Sequence, residues 1–64
     1  MMADEKKVLR LLKTARGQMD GIIKMVEENR YCIDISQQLM ATEAILNRAN
    51  KEILAAHLKH CVQE

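Results

Sequence analysis

From Tyr31 to Glu64 the chain contains neither Gly nor Pro, so nothing in this stretch stops a helix once one begins. Its apolar residues fall into two stripes at helical spacing. One carries Ile35, Leu39, Leu46 and Ile53, with Ala49 and Ala56 filling in; the other carries Ile33, Met40, Ala44, Leu54, Leu58 and Val62. A narrow polar face remains, made of Asp34, Gln38, Arg48, Glu52, Lys59 and Gln63. A helix this widely apolar is buried on two sides and belongs at the centre of an assembly. The pattern predicts it over about residues 33–62, opened by a capping box of Asp34 with Gln37.

In the first half, Val8, Leu12, Ala15, Met19, Ile22 and Val26 recur at spacings of four and three, with Leu11, Ile23 and Met25 beside them. That is an amphipathic helix with a coiled-coil-like seam, expected over about residues 4–28. Asp4 and Glu5 suit its first turn, where carboxylates meet the positive end of the helix dipole. Asn29 is the residue expected to end it in a left-handed conformation. The fold class is therefore all-α. Two long antiparallel helices per chain would pair with another chain's two into a homodimeric four-helix bundle.

Length strengthens the case for a partner, because 64 residues build one domain with a thin core. Two widely spaced cysteines are a poor disulfide framework, and free thiols suit a reducing cytoplasm. No apolar run approaches a membrane span, and the first residues lack a signal-peptide pattern, so no membrane partner is expected.

The net charge of +1 leaves any nucleic-acid reading to the placement of charge. Lys6, Arg10, Lys13 and Lys24 lie on the polar face of the first helix, flanked by Lys7 and Arg16. They make either a solvated face or a strip of phosphate contacts. Gly17 and Gly21 share that side; each costs about 1 kcal/mol in a helix relative to Ala, which implies close approach by another backbone or a local break. Tyr31 is the only aromatic residue, which argues against base stacking on single strands. No nucleophile, base and orienting group converge, so the chain does not read as an enzyme.

Cys32, His57 and Cys61 are the candidate ligands. At about 100° per residue they project within roughly 40° of one another, between the two apolar stripes. His57 and Cys61, four residues apart, can touch one ion together. Cys32 lies roughly 37 Å of helix away from His57, while metal bonds are about 2.0–2.3 Å long. The set closes only if a second, identical helix runs antiparallel, with a two-fold axis near Ile45 and Leu46 generating two equal sites. Two thiolates and one imidazole are a soft set suited to Cu(I) or Zn(II), and three ligands favour Cu(I). Each residue alone also reads as ordinary core: a small buried Cys, a hydrogen-bonded His.

Gly17-Gln18, Gly21-Ile22, Met25-Val26-Glu27-Glu28, Tyr31-Cys32-Ile33-Asp34 and His57-Leu58-Lys59-His60-Cys61-Val62 together resemble the metal-sensitive transcriptional repressors of the CsoR/RcnR type. The resemblance covers nearly the whole chain. It implies an antiparallel dimer and a dimer of dimers that binds double-stranded operator DNA without inducer and is released by it. The ligand trio is similar to that of the copper-sensing branch, in which Cu(I) bridges two subunits, with Tyr31 adding a hydrogen bond behind the ligands. The nickel- and cobalt-sensing branch has a second His where Cys61 stands and an N-terminal His. The formaldehyde-responsive branch has Pro where Met2 stands, and persulfide sensors keep both cysteines without the His.

Expected DNA contacts are Lys6, Arg10, Lys13 and Arg48. This chain departs from the family at Glu43, where DNA-binding members usually carry Arg or Lys, at Arg16, usually acidic, and at Thr14, frequently basic. The family also continues into a short third helix beyond the position of Glu64, so the expectation is a chain without it. Two other readings follow: a thiol- or persulfide-responsive repressor, and a copper-binding helical module that has lost DNA binding.

Overall fold

A computed structural model describes residues 3–61, apart from the side chains of His60 and Cys61. Two helices account for it: α1, Glu5–Glu27, and α2, Cys32–Cys61. Asp4 caps α1, its carboxylate accepting from the Lys7 backbone N–H at 3.2 Å, while Glu5 in the first turn and Lys24 in the last complement the helix dipole. The C-terminus closes in a Schellman motif: the Arg30 N–H donates to the Met25 carbonyl and the Asn29 N–H to that of Val26, both at 3.0 Å. The motif needs a left-handed residue, and Asn29 supplies it with φ of 55°. Asn29→Val costs about 1–2 kcal/mol and Asn29→Gly next to nothing, which thermal unfolding of the two variants distinguishes.

α2 starts earlier than its sequence pattern suggests. The Ile35 N–H donates to the Tyr31 carbonyl at 3.2 Å, so Asp34 lies inside the first turn and the expected Asp34–Gln37 capping box does not open the helix. Asp34 still meets the positive end of the dipole there. At the other end, Val62 and Gln63 lie outside the described residues.

The hairpin is antiparallel, as two cross-links between the helices require. The Lys7 ammonium meets the Glu52 carboxylate at 2.8 Å, and the Thr42 hydroxyl donates to Gln18 Oε1 at 2.8 Å. Between them lies a core of Val8, Leu11, Ala15 and Ile22 from α1 against Thr42 and Ala49 from α2, with Ile35, Ile45, Ile53 and Ala56 half-buried. Thr42 is 2% exposed, and its hydroxyl also lies 3.2 Å from the Gln38 carbonyl. A buried hydroxyl without a partner would be costly; this one has two acceptors for one proton.

Half of the predicted α1 seam turns outward. Leu12, Met19 and Val26 are exposed, Val26 at 58%, and on α2 so are Leu39 and Leu46. Gln38 and Glu52, expected on the solvent face, are half-buried beside α1. The cause is the breadth of the apolar arcs: two helices in contact cover only about one stripe of each. The molecule measures 51 × 18 × 11 Å, about one helix diameter thick. Its radius of gyration is 15.1 Å, where a globule of this length would have about 11 Å.

Candidate metal centre and nucleic-acid face

α2 sets the positions of the candidate ligands. Cys32 is its first residue, an exposed free thiol next to Tyr31, which is 66% exposed. His57 is exposed near the far end, and Cys61 closes the helix, with its side chain outside the described residues. Along α2, Cys32, Leu39, Glu43, Leu46, Asn50 and His57 follow a single line about a quarter turn from the buried Thr42–Ala49 line. Leu12, Met19 and Ile23 stand about a quarter turn from the buried line of α1, in the same rotational sense. Equal rotation in two antiparallel helices leads to the same side of the hairpin, so Leu12, Met19 and Ile23 share one face with the line from Cys32 to His57.

No three His, Cys, Asp or Glu side chains gather into a metal-holding cluster among the described residues. One straight helix explains why. The chain from Cys32 to His57 is helical throughout, so its 25 steps put roughly 37 Å of rise between the two. The donor set is chemically suited to a soft ion, but one chain holds its members apart.

The basic residues occupy other surfaces. Lys6, Arg10 and Lys13 are exposed on the side of α1 away from α2, where they line a shallow depression with Leu9 and Thr14. The Thr14 hydroxyl donates back to the Arg10 carbonyl at 2.8 Å. Lys7 is drawn instead towards α2 by Glu52; both partners are more than a third exposed, so that pair is worth at most about 1 kcal/mol. Arg48 is exposed on α2, on the side opposite the ligand line. α1 runs unbroken through Gly17 and Gly21, and a Cβ added at either would meet nothing within 4 Å. A helix break is therefore ruled out as their reason, and packing within this chain does not require them.

Sequence pattern missed the Gln18–Thr42 pair, because both side chains are polar and interrupt the apolar stripes. The available signal was their position: each falls on the heptad-like line continued by Ala15 and Ile22 in α1 and by Ala49 in α2.

Residues 4–64 match the family described as "Metal-sensitive transcriptional repressor". Curated relatives agree. The copper-sensing transcriptional repressor CsoR of Mycobacterium ulcerans (strain Agy99) is 48% identical over 61 residues, covering 94% of this chain and 52% of the relative. The protein of the same name from Mycobacterium tuberculosis (strain H37Rv) is 41% identical, covering 95% and 51%. That from Bacillus subtilis (strain 168) is 36% identical, covering 95% and 60%. The chain spans about half the length of the mycobacterial relatives it matches. That family description names a regulator rather than an enzyme. On a match across nearly its entire length, with the helical hairpin beneath it, this chain belongs to the metal-sensitive transcriptional repressor family.

Proposed function

We propose that this chain acts as a cytoplasmic copper-responsive repressor, working as a symmetric dimer or a dimer of dimers. Metal-free, it binds double-stranded operator DNA through Lys6, Arg10, Lys13 and Arg48. Cys32 of one copy, with His57 and Cys61 of the other, holds Cu(I), and Tyr31 stands beside the first ligand. The observation that carries this reading is the line on α2: an exposed thiol and an exposed imidazole at matching azimuth, too far apart to meet except across an antiparallel pair. Relatives named as copper-sensing support the choice of metal, and two sulfurs with one nitrogen suit Cu(I).

Surface area supports a partner. The chain exposes 5179 Å², whereas a compact monomer of 7.4 kDa would expose about 4200 Å². The excess, roughly 1000 Å² per copy, matches the area a stable protein interface of standard size covers. Leu39, Leu46, Leu54, Leu58 and Met40 on α2 supply apolar surface to fill it.

For the metal to control DNA affinity, the paired arrangement that brings the ligands together must differ in DNA affinity from the metal-free one. Retardation of operator DNA by the reduced protein, reversed by stoichiometric Cu(I), is the expected result. Retention at all Cu(I) levels would contradict the reading. Phosphate contacts are checked separately. Arg10→Ala weakens binding to all duplexes alike and lowers the slope of log affinity against log salt by about 1, whereas an unchanged slope removes Arg10 from the interface.

A further inference from the structure

Among Cys32, Leu39, Glu43, Leu46, Asn50 and His57, the residues of the ligand line, Glu43 is the one carboxylate. It is exposed and, with Met40, Ala44 and Asn47, lines a shallow depression on the outer side of α2. A second copy of this chain is the occupant that the excess exposed surface and the split ligand set both call for.

The register follows from the ligands. Setting Cys32 of one copy opposite the His57–Cys61 turn of another puts the two-fold axis near Ile45 and Leu46. Glu43 of each copy then stands opposite the turn Leu46–Asn50 of the other, which carries Asn47 and Asn50 on its interface side. A carboxylate accepts and a carboxamide N–H donates, so the two polar groups satisfy each other, twice per dimer. A slip by one helical turn in one direction sets Glu43 of the two copies against each other as like charges, and in the other moves it off Asn47 towards Leu54.

We infer that Glu43, paired with Asn47 and Asn50 of a second copy, fixes the register of the antiparallel pair and thereby brings Cys32 opposite His57. Glu43 thus works as an alignment device on the interface, in the manner of the single polar core residue that sets coiled-coil register. This inference rests on the antiparallel pairing proposed above.

The test uses the full chain, reduced and metal-free, with sedimentation equilibrium and a short bismaleimide that adds one thiol at each end. The parent is expected to sediment as a dimer and to yield a covalent dimer joined through Cys32 and Cys61 of different chains. Glu43→Leu remains helical and dimeric, but its Cys32–Cys61 product falls at least about tenfold, because the substitution removes a charge-assisted hydrogen bond on each side of the two-fold axis. Glu43→Gln, which keeps a carboxamide acceptor, retains the product. Equal yields from Glu43→Leu and the parent overturn the inference and leave the pairing intact. A monomeric Glu43→Leu also overturns it, since Glu43 would then supply affinity rather than register. A parent that is monomeric, or forms no Cys32–Cys61 product, removes the pairing and this inference with it.

Discussion

His57→Ala is expected to keep its metal-free affinity for operator DNA and to lose most of its response to Cu(I). Couplings of this kind are typically about 1–3 kcal/mol, so the parent's operator affinity should fall by about 5- to 150-fold on metal binding and the variant's by less than about twofold. Two features make the separation clean. His57 is exposed in the hairpin, so its loss should change folding stability by no more than about 0.5 kcal/mol. It also stands on the ligand line, away from Lys6, Arg10 and Lys13, so phosphate contacts are untouched. Fluorescence anisotropy of labelled operator, titrated with and without Cu(I), reads both quantities. A variant that responds like the parent would remove His57 from the site.

Leu11→Ala removes most of the hairpin's stability. Leu11 is 8% exposed, in a core whose other buried apolar members among the described residues are Val8, Ala15, Ile22 and Ala49. Truncating a buried Leu costs about 2–5 kcal/mol, through lost transfer free energy and the cavity left behind. A domain of 64 residues has only about 3–10 kcal/mol in total. Urea unfolding followed by circular dichroism should show the midpoint drop by half or more. Met40→Ala is the control: Met40 is 64% exposed within one chain, so the same truncation there should leave single-chain stability unchanged and weaken only association. If Leu11→Ala and the parent unfold at the same midpoint, the core is wrongly placed.

These two variants also mark what the sequence reveals and what it conceals. Helix identity is legible because periodicity, Asp4 at one end and Asn29 at the other act locally, and each does in the structure what its chemistry favours. Which side of each helix faces the other is less legible. Leu11 and Leu12 are adjacent leucines on one broad apolar arc, and the pattern favours Leu12 for the seam, yet Leu11 is buried and Leu12 exposed. An arc wide enough for two neighbours does not say which neighbour belongs to the same chain. The start of α2 misleads for a different reason: an Asp followed three residues later by Gln mimics a capping box, whereas the first helical bond already runs to Tyr31.

The line of candidate ligands is legible from spacing alone, since Cys32 and His57 differ by a nearly whole number of helical turns. Glu43 shows the reverse. Family resemblance ties its position to DNA contacts, while its azimuth places it on the line between Cys32 and His57. Thr42 was hidden because a polar residue on an apolar stripe reads as an interruption until its partner Gln18 is seen across the hairpin.

The proposed function turns on a bridging site with two sulfurs and one nitrogen. Anaerobic Cu(I) titration of the reduced protein, read by X-ray absorption at the copper edge, tests it most directly. The expected spectrum shows one ion per chain in a three-coordinate environment, with sulfur at about 2.3 Å and nitrogen at about 2.0 Å, the bond lengths such donors give to zinc. A sulfur-only environment, or no tight site, would contradict it and turn attention to the thiols of Cys32 and Cys61 as the sensing groups.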